Sequence, residues 1–237
     1  MLLKGLQKLT LLDFPEKIAC TVFTFGCNFR CPFCHNADLV LADRATADRV
    51  DEEAFFKFLA SRRGILEGVC ITGGEPTLMP DLPAFLARIK ELGFAVKLDT
   101  NGSRPAVLQT VVESGVVNYV AMDIKNALPR YGETVGIPGF DTSAVEVSMD
   151  YLLAGHVPYE FRTTLVSPLH TPEDLAAIGR RVAGAERYFL QSFDAHADVP
   201  NALIGRADSL LPLSAEETAD CLSALRAYVP NAQLRGA

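Results

Sequence analysis

The chain is predicted to be an α/β protein, a partial (β/α)6 barrel of parallel strands left open on one side and built as a single domain. Three observations predict it. Short apolar runs rich in β-branched and aromatic residues alternate with amphipathic segments, the rhythm of parallel strands with helices outside them. Six such units can be counted, too few to close an eight-stranded barrel and enough for an open one whose missing side admits a large substrate. The 237 residues, 49% of them hydrophobic, suffice for one large core.

Strands are expected at 19–25, 68–72, 94–99, 117–124, 158–165 and 186–192. Helices are expected near 51–62, 80–92, 104–114, 142–154 and 172–183, with a last one near 214–228. The first of these starts at Asp51 and carries Phe55, Phe56 and Leu59 at helical spacing, an inward apolar stripe. Residues 1–18 read as an amino-terminal extension and 193–237 as a carboxyl-terminal loop and helix. The stretch 193–213 has little regular pattern, so it is expected either to flank the open side of the barrel or to be a loosely packed surface connection.

Composition narrows the function classes. A formal charge of −7, a pI near 5.1 and the lack of a basic tract argue against a nucleic-acid partner. No apolar run has the length of a membrane span and the first residues, MLLKGLQKLTLLDFPEK, do not read as a signal peptide, so a cytoplasmic protein with no membrane partner is expected. Cys20, Cys70 and Cys221 lie singly in apolar surroundings and read as reduced core thiols.

The other three cysteines, Cys27, Cys31 and Cys34, share the loop GCNFRCPFCHN after the first strand. Four readings compete for them. Positions i, i+4 and i+7 share a helix face, but Asn28, Arg30 and Pro32 interrupt the apolar pattern of a core helix. With His35 they make a Cys3His set that zinc accepts, although zinc ligands usually come as two separated pairs. Disulfide bonding leaves one thiol over. A [4Fe–4S] cluster held by three thiolates keeps one iron open to a non-protein ligand, which points to chemistry at that iron.

Further polar sets follow the later strands, at the strand ends that carry the chemistry in barrels of this type. GVCIT runs into Gly73-Gly74-Glu75-Pro76, FAVKL into Asp99-Thr100-Asn101-Gly102, and NYVAM into Asp123-Ile124-Lys125; the fifth strand, YEFRTTLV, contains Arg162. GGEP or DTNG alone reads as a turn. Four polar sets at the same end of successive strands can meet one another. Glu75 can accept hydrogen bonds from an ammonium group, and the glycines let the backbone approach a ligand. Arg162, inside an apolar strand, requires an anionic partner or an exposed side, whereas Lys125 reads equally as a solvated surface lysine.

The pattern CNFRCPFC, with an aromatic before the third cysteine, together with GGEP resembles the radical S-adenosylmethionine (SAM) superfamily. GLQKLTLLDFPEKIACTVFTFGCNFRCPFCHN is similar to the activating proteins of anaerobic ribonucleoside-triphosphate reductase, and DTNG and MDIK are similar to motifs of glycyl-radical-enzyme activases generally. The resemblance runs from about residue 4 to about 192.

The resemblance implies that Cys27, Cys31 and Cys34 hold a [4Fe–4S] cluster whose open iron is chelated by SAM. It places Glu75 and the backbone of Gly73 and Gly74 at the SAM amino group, Phe33 beside the adenine, and Asn101 in the cofactor-binding set. Asp99, Thr100 and Asp123 resemble an oxygen-rich pocket near the SAM carboxylate that can hold a monovalent cation, with Lys125 and Arg162 offsetting the carboxylate charge. The implied reaction is reductive cleavage of SAM to a 5′-deoxyadenosyl radical, which takes a hydrogen atom from a backbone glycine of anaerobic ribonucleotide reductase. The implied partners are that enzyme and an electron donor such as flavodoxin or ferredoxin. The absence of cysteine between Cys34 and Cys70 implies one cluster. The alternatives are an activase of another glycyl radical enzyme and a radical SAM enzyme acting on a small molecule, as the carboxy-deazaguanine synthases do. His35 suits the family pattern through a hydrogen bond or direct chemistry, His156 and His170 read as structural or solvent-facing, and Gln191, Ser192 and His196 are given no role.

Overall fold

A computed structural model describes residues 1–41, 47–194 and 210–235. Most of the stretch 193–213, with His196, therefore lies outside the described residues. The chain divides into two compact units, the first made of Met1–Asn28, Asp38–Ala121 and His156–Pro158, the second of Phe29–Ala37, Met122–Gly155 and Tyr159–Ala237.

In the first unit, β1 (Leu3–Thr10) and β2 (Ala19–Thr24) form an antiparallel pair, followed by α1 (Ala37–Leu41), α2 (Glu52–Ala60), β3 (Gly68–Gly73), α3 (Leu82–Glu91), β4 (Ala95–Thr100), α4 (Pro105–Glu113) and the start of β5 (Tyr119–Asp123). β1 comes from residues set aside above as an extension. Its sequence LKGLQKLT exposes Gln7, Lys8 and Leu9, a polar edge that hides the strand from a search for apolar runs. β2 pairs in parallel with β3 from Ala19↔Gly68 to Thr24↔Gly73, and β3 with β4 from Gly68↔Ala95 to Ile71↔Leu98. Val22, Val69, Ile71, Val96 and Leu98 are fully buried, as strands covered on both faces require. α2 begins where Asp51 predicts: its carboxylate accepts from the Ala54 N–H at 2.7 Å. Phe55 and Phe56 on its apolar stripe pack against Phe85 of α3, with ring centroids 5.5 and 5.3 Å away.

The second unit continues with α5 (Tyr131–Thr134), α6 (Ser143–Leu153), β6 (Tyr159–Leu165), α7 (Pro172–Arg181), β7 (Tyr188–Ser192), α8 (Ala215–Arg226) and β8 (Gln233–Arg235). α7 and α8 both start with complete capping boxes, Thr171 with Asp174 and Ser214 with Glu217. β6, β7 and β8 pair in parallel, from Phe161↔Tyr188 and from Phe189↔Gln233. β8 is only three residues long, yet it fixes a buried charge. Arg235 meets Glu160 with both guanidinium nitrogens, at 2.9 and 3.1 Å, and lies 3.6 Å above the Phe189 ring.

Strand order follows chain order, β1 to β8, so β1 and β8 are the edges of an open, mainly parallel sheet. The predicted six strands are β2 to β7 in this order. Cys20, Cys70 and Cys221 are buried and in no disulfide; burial pushes the Cys20 thiol up to about 12 and the Cys221 thiol up to about 11.

Candidate active site

The β2–β3 register sets Thr24 level with Gly73, which brings the chain leading to Cys27 against the GGEP loop. Glu75 N–H donates to the Gly26 carbonyl at 2.7 Å and Gly74 N–H to the Thr24 carbonyl at 3.0 Å. This approach requires glycine. A Cβ on Gly74 would stand 1.8 Å from the Gly26 carbonyl oxygen, and Gly73, at φ 115°, would place one 2.3 Å from Thr24 N. In this structure the two glycines admit the chain's own backbone.

Glu75 is 1% exposed, and its carboxylate ties two loops together. Oε1 accepts from Thr77 N–H at 3.0 Å, from the Thr77 hydroxyl, and from the Thr100 hydroxyl at 2.8 Å; Oε2 accepts from Asn101 N–H at 2.7 Å. Three donors converge on Oε1 and one reaches Oε2. An ammonium group at Glu75 would have to share the carboxylate with them. Burial raises the Glu75 carboxyl above its ordinary value, against the downward pull of these donors.

The DTNG loop then reaches the first cysteine. Asn101 Nδ2 lies 3.7 Å from Cys27 Sγ and donates to Asn28 Oδ1 at 3.0 Å, while Asn101 Oδ1 accepts from Ser103 N–H at 2.9 Å. Asn28 Nδ2 in turn donates to the Ser103 hydroxyl at 2.9 Å. GGEP and DTNG thus form one hydrogen-bonded body with Cys27. Asp99 is engaged separately: Lys97, two residues back on the same face of β4, donates to its Oδ1 at 2.5 Å. Sequence reasoning passed over Asn28, Ser103 and Lys97.

Cys31 and Cys34 belong to the second unit, where residues 131–140, given no element in the sequence reading, support their loop. Arg30 N–H donates to the Val135 carbonyl at 2.8 Å, and Gly136, at φ 70°, packs so closely that a Cβ would lie 2.3 Å from the Arg30 carbonyl oxygen. Phe29 packs edge-on against Phe140 at 5.1 Å and Tyr131 at 6.3 Å. Phe33 is buried and meets the His170 ring edge-on at 6.2 Å. None of the three loop cysteines is in a disulfide. Burial raises the Cys34 thiol, opposed by the Lys125 ammonium.

Asp123, Lys125 and Arg162 come together as one charged group. Asp123 accepts from Lys125 Nζ at 2.9 Å and from Arg162 Nε at 2.8 Å, which supplies the anionic partner that the position of Arg162 requires. Lys125 is therefore no solvated surface residue. Burial alone would raise the Asp123 carboxyl, but the Arg162 guanidinium and Lys125 ammonium hold it well below the carboxylate range. Burial would likewise lower Lys125, yet the Asp123 carboxylate beside it keeps it firmly protonated. Asp123 keeps 29% of its side chain exposed against 20% for Lys125 and 13% for Arg162, so the group is partly buried and carries a net positive charge.

His170 locks this group from behind. Its Nε2 lies 2.8 Å from the Lys125 carbonyl, and its Nδ1 lies 3.1 Å from Val166 N and 3.3 Å from the Val166 carbonyl; the neutral ring with its proton on Nε2 donates to Lys125 and accepts from Val166 N–H. Burial lowers its pKa from 6.5, outweighing the upward pull of its backbone hydrogen bonds to Lys125 and Val166 and of Asp174. Below pH 6.5 the unfolded chain takes up a proton that the folded chain refuses, so stability falls as pH drops through that value. Denaturation midpoints between pH 8 and pH 5 check this at roughly unit steps. The expected loss is absent in a folded His170→Gln variant; an equal loss there would locate the effect elsewhere. His156 is exposed, as expected. His35 stacks on Phe193 with ring centroids 5.4 Å apart.

Among the described residues no group of three or more His, Cys, Asp and Glu side chains is placed to hold a metal ion; Cys27, Cys31 and Cys34 are of the residue type that ligates an iron–sulfur cluster, and the partly exposed Lys125 and Arg162 are of the type that receives an anionic ligand. Among the described residues no helix is long and apolar enough to cross a membrane. The chain is 32% identical over 199 residues to a protein of Methanocaldococcus jannaschii named provisionally as a glycyl-radical enzyme activating enzyme, covering 81% of this chain and 80% of that one. It is 32% identical over 172 residues to the pyruvate formate-lyase-activating enzyme of Streptococcus mutans, covering 68% of this chain and 64% of that one. The fold matches the crystal structure of Streptococcus suis SuiB bound to S-adenosylmethionine with a TM-score of 0.68 at 12% identity, over 90% of this chain and 49% of that one. The family model that describes the radical SAM superfamily matches residues 21–182, and with the loops of Cys27, Glu75, Asn101 and Asp123 all inside that span, the chain belongs to the radical SAM superfamily.

Proposed function

We propose that this chain is a glycyl-radical-enzyme activase whose protein substrate is anaerobic ribonucleoside-triphosphate reductase. Cys27, Cys31 and Cys34 would hold a [4Fe–4S] cluster, which with SAM bound would supply one-electron reductive cleavage of SAM. The chain's own residues bind and orient. Lys125 and Arg162 receive the SAM carboxylate, the backbone of Gly73 and Gly74 receives its amino group, and Phe33 borders the adenine. Glu75 acts through Asn101, which steadies Cys27. Flavodoxin or ferredoxin supplies the electron.

The observation that carries this reading is the similarity, across four fifths of the chain, to a protein named as a glycyl-radical enzyme activating enzyme. The similarity of the opening sequence GLQKLTLLDFPEKIACTVFTFGCNFRCPFCHN to the activating proteins of that reductase supports the reductase as the partner. The test is anaerobic incubation of reconstituted, dithionite-reduced protein with SAM and the reductase, followed by EPR. A glycine-centred doublet on the reductase is expected. SAM cleavage without that doublet would overturn the partner, and no SAM cleavage at all would overturn the activase.

A further inference from the structure

We propose that Lys97 takes the place of a monovalent metal ion, so that this chain binds and cleaves SAM without one. The inference rests on reading Asp99, Thr100 and Asp123 as residues of the SAM pocket. It comes from the geometry of each.

Lys97 is 1% exposed, a burial that an ammonium group tolerates only beside a partner of opposite charge. The β3–β4 register pairs it with Cys70, whose sulfur lies 3.9 Å from Nζ. Asp99 follows on the same strand face, and its Oδ1 accepts from Nζ at 2.5 Å. Cys70 Sγ lies 3.7 Å from the same oxygen, so a metal ion on Oδ1 would compete with two of the chain's own donors. Thr100 is also committed, since its hydroxyl donates to Glu75 at 2.8 Å and accepts from Gly102 N–H at 3.1 Å. Asp123, in its own unit, already has Lys125 and Arg162 at 2.9 and 2.8 Å. Each side-chain oxygen donor of the expected cation pocket belongs to a group held by the chain's own donors. A fixed ammonium beside the carboxylate supplies the charge that a bound ion would supply, without dependence on salt composition.

The test compares reconstituted wild type and Lys97→Met in potassium, sodium and choline chloride at equal ionic strength. SAM affinity and SAM cleavage by wild type are expected to agree within about twofold across the three salts, whereas Lys97→Met loses on the order of tenfold in choline and recovers in potassium or sodium. A second readout needs no SAM: the unfolding midpoint of wild type is indifferent to the cation, and that of Lys97→Met rises with potassium or sodium over choline. Wild type whose SAM affinity requires potassium or sodium would overturn the inference, as would a folded Lys97→Met indifferent to all three. If Lys97→Met does not fold, Lys97→Met/Asp99→Asn removes both charges and is expected to be indifferent; a metal response there would also overturn it. If no variant cleaves SAM in any salt, the activase reading fails, and the midpoints still decide the role of Lys97.

Discussion

Glu75→Gln is expected to destabilise the chain by about 2–4 kcal/mol and to leave it unable to retain its iron. The carboxylate accepts four hydrogen bonds, and two of them come from the backbone N–H groups of Thr77 and Asn101, which cannot turn away. An amide has one accepting oxygen. Placed with its nitrogen at the Oε2 position, glutamine sets two donors face to face at Asn101; placed the other way, it opposes three donors. Both orientations bury a donor without an acceptor, and that cost exceeds the loss of an ordinary exposed hydrogen bond. The consequence reaches Cys27 because the residue that Glu75 holds by its backbone is the one whose side chain approaches that sulfur at 3.7 Å. Denaturant unfolding of the cluster-free chain and iron content after reconstitution check the two halves separately. A variant with the parental midpoint would show that the clamp contributes nothing. A lowered midpoint with full iron would show that Asn101 does not govern Cys27.

The parts of this fold legible in the sequence are those where burial imposes a period. β2 to β7 and the longer helices announce themselves through apolar runs and stripes, because both faces of the strands and one face of each helix are covered. β1 escaped because it is an edge strand with exposed polar residues, and β8 because three residues cannot display an alternation. Residues 131–140 escaped for another reason: a four-residue helix between turns has no period, and its aromatic contacts with Phe29 exist only in three dimensions. In the candidate site the residue types were readable and their partners were not. Arg162 was recognised as a charge that needs an anion, and Asp123 is that anion. The same argument applies to Lys97 in FAVKL, where a lysine two residues before an aspartate on one strand face marks an internal ion pair. Glu75 reads as a ligand for an ammonium group because sequence shows a carboxylate after two glycines, whereas its four donors come from Thr77 and the distant DTNG loop.

The glycines before Glu75 offer the sharper separation between binding a ligand and building the loop. If Gly74 serves only to let a cofactor approach, Gly74→Ala should weaken SAM binding and leave folding alone. The structure predicts the reverse order of events. An added methyl would stand 1.8 Å from the Gly26 carbonyl oxygen, and neither partner is a side chain that can rotate aside. Relief requires the GGEP loop to separate from the chain leading to Cys27, with loss of the 2.7 Å bond from Glu75 N–H to Gly26 and the 3.0 Å bond from Gly74 N–H to Thr24. The expected cost is about 3 kcal/mol or more, with failure to hold iron, both measurable before any SAM is added. Gly93→Ala is the control: Gly93 has φ 92° with nothing within 4 Å of an added Cβ, so it should carry only the backbone penalty of about 1–2 kcal/mol and load iron normally. Gly74→Ala protein that folds like Gly93→Ala and fills with iron, yet fails to bind SAM, would return the glycine to the ligand and remove it from the scaffold of the cysteine loop.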